Sequence, residues 1–327
     1  MINKTQDEII KAWKNTSSSD PLVSISCITY NHINYIEQCL DGFLEQETDY
    51  PFEILIHDDC STDGTTEIIQ KYSTKYPDII KPMYETENQY QQGKPAGSLI
   101  WNFPRAKGKY IALCEGDDYW IDENKLQKQV DFLESNPEYG MCYTKSKQFL
   151  QEKGRYGKKT FGEKINSYDD IFVNGNRIPT PSVVCRKELM SEFSEKFSSQ
   201  SKKWIMGDLP LWLFIFKNSN VKFLNQETCV YRVLKESASH SVSIEKQKRF
   251  RQGSFEIRNY FAEIYNSKDL LTKFELNENF NYAWRTKNHR DLIYVYKKIS
   301  VKNKSFKMYV KFLISTIILI FYRGESK

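Results

Sequence analysis

Three short apolar runs in the first 120 residues each stop abruptly at polar or acidic residues: "PLVSISCITYN" (21–31), "FEILIHDD" (52–59) and "KYIALCEGDD" (109–118). The first is mostly apolar and rich in β-branched residues, as a strand covered on both faces of a parallel sheet must be. Between the first two runs, "NYIEQCLDGFLEQ" places Ile36, Cys39, Leu40, Phe43 and Leu44 at helical spacing. "STDGTTEIIQKYSTKYP" reads as a turn feeding a helix that stops at Pro77, and "IIKPMYETENQ" as a further extended stretch. The order strand, helix, strand, helix, strand, strand predicts an α/β fold with a Rossmann-like, mostly parallel sheet flanked by helices. Ligands bind such sheets outside the carboxyl ends of the strands. Thr29, Tyr30 and Asn31, Asp58 and Asp59, and Asp117 and Asp118 are therefore expected to converge on one edge.

The seven cysteines form no CxxC pair, and most sit in apolar runs. They read as buried free thiols, and nothing has the spacing of a zinc site. The start of the chain is polar, without the apolar segment of a signal peptide. The net charge of +5 conceals an asymmetry: from Trp284 onward, eleven basic residues face only Asp291 and Glu325, so the body is mildly acidic and the tail strongly basic. Such a tail calls for an anionic surface as partner. No nucleic-acid partner is expected.

Neither GxGxxG nor GxxxxGK[ST] occurs, so no glycine-rich loop is available to cradle phosphate. A cation bridging carboxylates and pyrophosphate is the natural substitute. Hard divalent ions such as Mn²⁺ or Mg²⁺ use one or two carboxylates plus phosphate oxygens. That gives "CEGDDYW" (114–120) a chemical reason. The alternatives are an acidic turn before the helix near "DENKLQKQV" and, for Asp58, Asp59 or Asp63, the cap of the helix that follows. Asp208, in "WIMGDLPLWLFIF", stands at the mouth of a long apolar segment, where desolvation raises a carboxylate's basicity. It could equally cap that helix, with Pro210 in its first turn.

The stretches "VSISCITYNHINYIEQCLDGFLEQ", "FEILIHDDCSTDGT", "GKYIALCEGDDYW" and "MGDLPLWL" resemble, in order and spacing, the motifs of family 2 glycosyltransferases of the GT-A fold, of the bacterial surface-polysaccharide type. The resemblance runs from about residue 21 to 240. It implies inverting transfer of a sugar from a nucleotide-sugar, UDP being the commonest nucleotide, to a glycan or lipid-linked glycan. By position it makes Tyr30 the stacking partner of the nucleobase, with Asp59 its hydrogen-bond acceptor and Thr29, Asn31 and Asp58 beside them. Asp117 falls near the ribose and pyrophosphate, Asp118 on the metal, and Asp208 as the catalytic base. Glu115 also lies within reach of the metal. His240 is a candidate metal or pyrophosphate contact, with Arg232 and Lys235 weaker candidates for the diphosphate. The expected division is a polar leader (1–20), a glycosyltransferase domain (21–240, with a nucleotide-binding half 21–125 and an acceptor half 126–240) and a helical basic tail (241–327).

The charge-free stretch from Phe312 to Tyr322 is eleven residues, against the ~20 that a membrane-crossing helix needs. It is expected to lie on a membrane surface with lysines on anionic headgroups, or else to pack as a core helix. The surface reading places the protein in the cytoplasm, peripheral at the inner face of the cytoplasmic membrane. Two competing functions are a non-catalytic nucleotide- or glycan-binding assembly protein and a sugar nucleotidyltransferase. The latter needs a glycine- and lysine/arginine-rich loop after the first strand, and "ITYNHINY" is unlike one.

Overall fold

The computed structural model describes residues 4–14, 20–93, 101–201, 203–235 and 243–324. The chain divides into two compact units, Met1–Ile165 with Arg177–Phe255, and Asn166–Asn176 with Glu256–Lys327.

The first unit is built on a nine-stranded sheet: β1 (Val23–Thr29), β2 (Phe52–Asp58), β3 (Ile80–Tyr84), β4 (Tyr110–Leu113), β5 (Tyr119–Trp120), β6 (Tyr139–Leu150), β7 (Arg155–Phe161), β8 (Val184–Arg186) and β9 (Asn220–Val233). The order is β3-β2-β1-β4-β8-β6-β9-β5, with β7 on β6. The predicted parallel array is present as β3-β2-β1-β4. Beyond β4 the sheet is mixed: β8 runs antiparallel to both β4 and β6, whereas β9 is parallel to β6. Every residue of β2 and β4 is buried, and so is all of β1 except Ile28. A strand buried on both faces has no room for unpartnered polar groups. Asn102 answers this for the middle of the array: its amide donates to Ser26 Oγ and to the carbonyls of Cys27 and Leu55 at 3.0–3.1 Å.

Helices flank the sheet: α1 (Gln6–Ala12), α2 (Ile36–Leu44), α3 (Thr65–Lys75), α4 (Lys125–Ser135), and, after α5 of the second unit (Tyr168–Asn174), α6 (Lys187–Ser201) and α7 (Asp208–Asn218). Residues 6–12 of the expected polar leader form α1, opened by a Thr5–Glu8 capping box and anchored by buried Ile9. Helix α2 buries the apolar stripe read from its spacing. Its Gly42 lies so close to β5 that a Cβ there would stand 2.8 Å from the Trp120 carbonyl oxygen. All seven cysteines are free thiols, six of them buried.

Helix α8 (Ile244–Ile264) leads into the second unit, which also holds α5, α9 (Lys268–Arg285), α10 (His289–Lys298) and α11 (Phe306–Gly324). One face of α11 packs on α10: Phe312 stacks on Tyr296 with ring centroids 4.3 Å apart, and Ser315 Oγ meets His289 Nδ1 at 3.0 Å. Its other face exposes Phe306, Val310, Leu313, Ile314, Ile317 and Ile320, a stripe at helical spacing. Among the described residues no helix is long and apolar enough to cross a membrane.

Lys125, at the start of α4, is fully buried, and its ammonium lies 4.3 Å from the Trp120 ring centroid with no hydrogen-bond partner. Burial pushes its pKa down to about 8 from an ordinary 10.5. Between those values the unfolded chain binds more protons than the native one, so this group makes stability rise with pH across that window. Replacing it by a side chain of similar length removes the cost of burying the charge. Lys125→Met is expected to raise stability at pH 7 by about 1–3 kcal/mol and to flatten the rise between pH 8 and 10.5, as read by denaturant unfolding at stepped pH.

Candidate active site

The parallel ladder carries the three polar strand ends to one edge. Thr29 and Asp58 are partners in the β1–β2 register. The backbone continues the ladder past the strands: Asp59 N donates to the Thr29 carbonyl and Gly116 N to the Ile28 carbonyl, both at 3.0 Å. Gly116 has to be glycine for the acidic turn to sit this low. A Cβ there would come within 2.7 Å of Thr29 Oγ1 and 3.0 Å of His32 Nδ1.

At the end of β1, Tyr30 is 37% exposed and offers an open aromatic face. Asn31 has a left-handed backbone, φ 54°, a conformation asparagine tolerates better than most residues. It knits two loops together, its Oδ1 accepting from Thr62 N and its N–H donating to Ser61 Oγ, each at 2.9 Å. Asp58 is buried, with both carboxylate oxygens accepting hydroxyl bonds, from Ser61 and Thr66. It holds the turn into α3 together and is the least accessible of the predicted ligand residues. Asp59 is half-buried, and its two oxygens accept from Gln89 N at 2.7 Å and Tyr90 N at 3.2 Å. It thereby fixes the segment after β3 across the strand ends and brings Tyr90 to that edge. Neither aspartate caps α3. The cap residue is Gly64, and Asp63 Oδ1 accepts from Thr65 N at 3.0 Å.

The acidic turn gathers Glu115, Asp117 and Asp118. Asp118 is buried, and its Oδ1 accepts the Arg232 backbone N–H at 2.7 Å. Burial and the charges of Asp117 and Glu115 hold its carboxyl well above the usual range, against the pull of Arg232. Glu115 is pushed up to about 8 by burial, by Asp117 and by Asp208. Asp208 therefore lies within electrostatic reach of the turn. It is the first residue of α7, where the helix dipole favours a carboxylate, and its Oδ1 faces its neighbour Leu209 N at 2.7 Å. The capping position belongs to Gly207, which makes no side-chain cap bond.

Arg232 was read from sequence as a weak diphosphate candidate. The residue is 6% exposed; its guanidinium bonds to Gln38 and Gln151 through the terminal nitrogens, leaves Nε without a hydrogen bond, and stacks over Tyr119 and Tyr35 at 4.6 and 5.1 Å. It braces Asp118 from behind, leaving little of itself for a ligand. Sequence reasoning passed over His32, whose Nδ1 meets Thr29 Oγ1 at 3.1 Å and which feels the charges of Asp117, Asp63 and Asp58. Its signal was its place directly after "ITYN", as one of four histidines. His240 lies outside the described residues.

Among the described residues no group of three or more His, Cys, Asp or Glu side chains could hold a metal ion by itself. Two carboxylates suffice when phosphate and water complete the shell. The chemistry of the turn fits that case. Burial and the charge of Asp117 raise Glu115 and Asp118, a strain that a cation relieves, and Asp118 keeps one oxygen with no bond from a described residue.

A tyrosine after β1, an acid pair after β2 and an acidic turn after β4 on a half-parallel sheet make up a GT-A-type architecture. S. aureus TarS 1–349 in complex with UDP-GlcNAc shares this fold, with a TM-score of 0.59 and 19% identity over 84% of this chain and 79% of that one. The mannosyltransferase PcManGT from Pyrobaculum calidifontis, in complex with GDP-Man and Mn²⁺, superposes with a TM-score of 0.55 at 17% identity over 94% and 82%. The family described as "Glycosyl transferase family 2" matches residues 24–191, just over half of the chain. The chain belongs to that family. Among sequence relatives, uncharacterized protein Rv1520 of Mycobacterium tuberculosis is 36% identical over 51% of this chain. The match spans about half of that relative's length, 47%. The Escherichia coli UDP-Glc:alpha-D-GlcNAc-diphosphoundecaprenol beta-1,3-glucosyltransferase WfgD is 29% identical over 75% of this chain and 90% of its own.

Proposed function

We propose that this chain is an inverting glycosyltransferase that moves a sugar from a nucleotide-sugar, UDP-linked, to a hydroxyl of a glycan or lipid-linked glycan. The observation that carries this reading is the pairing of two differently placed sets of carboxylates. Glu115, Asp117 and Asp118 crowd one turn at the sheet edge, and Asp208 stands within their field at a helix start. One set suits a cation and a diphosphate; the other suits a base. The UDP-linked donor of WfgD and the GDP-Man and Mn²⁺ of PcManGT support the donor class and the use of a divalent ion.

In this reading Tyr30 covers the nucleobase, with Asp59 and the loop it holds beside it. Asp118, paired with Asp117 or Glu115, would hold Mn²⁺ or Mg²⁺. When bound, the cation neutralises charge on the departing diphosphate. The acceptor oxygen forms a bond to the anomeric carbon as the bond from that carbon to the diphosphate breaks. Asp208 takes the acceptor's proton, and the nucleoside diphosphate leaves with the bonding pair. Arg232 and Gly116 keep the acidic turn in register with β1. The test is release of nucleoside diphosphate from a panel of nucleotide-sugars in the presence of Mn²⁺ and acceptor. Asp208→Asn is expected to lower kcat by about 10²–10⁴-fold while leaving nucleotide affinity unchanged. Unaltered turnover in that variant removes Asp208 as the base, and no turnover with any donor in the wild type favours the assembly-protein reading.

The same reading includes a place of action at the inner face of the cytoplasmic membrane. The apolar stripe of α11 is flanked by exposed Lys307, while Lys304 and Lys311 lie over Tyr296 and over Phe280 and Trp284; an apolar stripe beside a basic edge is the pattern of a helix that lies in a headgroup layer. Phe306 is 81% exposed. The chain is expected to sediment with vesicles containing phosphatidylglycerol and not with pure phosphatidylcholine, and Leu313→Glu/Ile317→Glu is expected to abolish sedimentation. Equal recovery in the supernatant with both vesicle types rules this placement out.

A further inference from the structure

A second cavity stands apart from the acidic turn. It is a half-open cleft of about 590 Å³ lined by Tyr139, Lys145, Lys164, Lys222 and Phe223, with Glu163 at its wall. That volume lies in the ~300–1,000 Å³ range of small-molecule sites. Strands β6 and β9 form its floor, at the pairing of Tyr143 with Phe223. The same two strands reach Arg232, which braces Asp118, only at the pairing of Phe149 with Arg232. Lys145, which lines the cavity, stands four residues along β6 from that pairing, roughly 13 Å at about 3.3 Å per residue. No residue of the acidic turn lines the cavity, which is distinct from the candidate donor site.

Its charges are unbalanced. Among the described residues, Lys145, Lys164 and Lys222 form no ion pair, whereas the nearest carboxylates are engaged elsewhere. Glu163 faces Arg177 at 3.7 Å, and Glu227, the partner of Lys145 in register, faces Lys147 at 3.7 Å. The Lys222 ammonium sits 5.0 Å from the Phe132 ring centroid, which holds its stem in place. Tyr139 and Phe223 add aromatic faces, whose negative π surface suits the C–H groups of a sugar ring. Three lysines against one carboxylate, Glu163, call for an anion, and aromatic faces call for a ring with an apolar side.

We propose that this cavity binds an anionic saccharide, carboxylate- or phosphate-bearing, as a holding site for the acceptor glycan away from the point of transfer. The name acceptor rests on the transferase reading; the binding of an acidic saccharide does not.

The test is isothermal titration of the full chain with three probes: an oligogalacturonide, a polyol-phosphate oligomer and neutral maltoheptaose. One or both acidic probes are expected to bind, maltoheptaose at least ten-fold more weakly. K145Q/K164Q/K222Q is expected to lose at least ten-fold in affinity for the acidic probe, and E163Q to gain. Binding of the oligogalacturonide alone identifies the anion as a carboxylate, and binding of the polyol phosphate alone identifies it as phosphate. UDP titration and the melting curve of the triple variant check the fold and the donor site separately, so loss of the donor reading leaves this result legible. Should the triple variant lose its fold, the three single Lys→Gln variants are compared for the same ranked loss. Binding of no acidic probe, equal binding of maltoheptaose, or affinity unaltered by the substitutions overturns the proposal.

Discussion

The structure rests on the burial of β1 between β2 and β4. Nearly every side chain of these three strands is out of water, on both faces of the sheet. A parallel ladder of this kind satisfies its own backbone and excludes unpaired charge. Polar side chains survive inside it only when fully bonded, as Ser24 is to Glu53 at 2.6 Å and Asn102 is to three partners. Charge is therefore pushed to where the ladder ends, and parallel strands all end on the same side. The convergence of Tyr30, Asp59 and the acidic turn follows from the ladder's direction rather than from any contact among them.

Holding three carboxylates in one turn is costly, and the surrounding residues are arranged to bear that cost. Gly116 lets the turn settle against Thr29. The backbone of Arg232 donates to Asp118, and its guanidinium is locked between Tyr35 and Tyr119 by two glutamines. Glu115 and Asp118 nevertheless remain raised, because burial and the charge of Asp117 outweigh what one backbone bond returns. In the proposed reading a cation relieves that repulsion.

The half of the fold that sequence reading reached best is the half whose strands are short and buried. Apolar runs at 21–31, 52–59 and 109–118 became β1, β2 and β4, and the helical spacing of Ile36 to Leu44 became α2. The long strands β6 and β9 left no such mark. "YGMCYTKSKQFL" and "NVKFLNQETCVYRV" mix lysine, glutamine and threonine with apolar residues and carry bulges, so neither a continuous apolar run nor a clean alternation appears. The site was legible by position, less so by role. Asp58 and Asp59 could be placed at a strand end, but only three-dimensional partners reveal that one is locked by hydroxyls and the other by the loop at Gln89 and Tyr90. The bracing by Arg232 joins residues 114 apart in the chain and has no local signature.

The central claim is that the strand-end acids form a cation-dependent nucleotide site. Its most direct test is calorimetric titration of the full chain with UDP, GDP and dTDP, with and without Mn²⁺, alongside Asp118→Ala. The account predicts that one nucleotide binds, that binding requires Mn²⁺, and that it disappears in the variant while the melting curve persists. Nucleotide binding indifferent both to the metal and to Asp118, or no binding at all, contradicts it and leaves "CEGDDYW" an acidic turn.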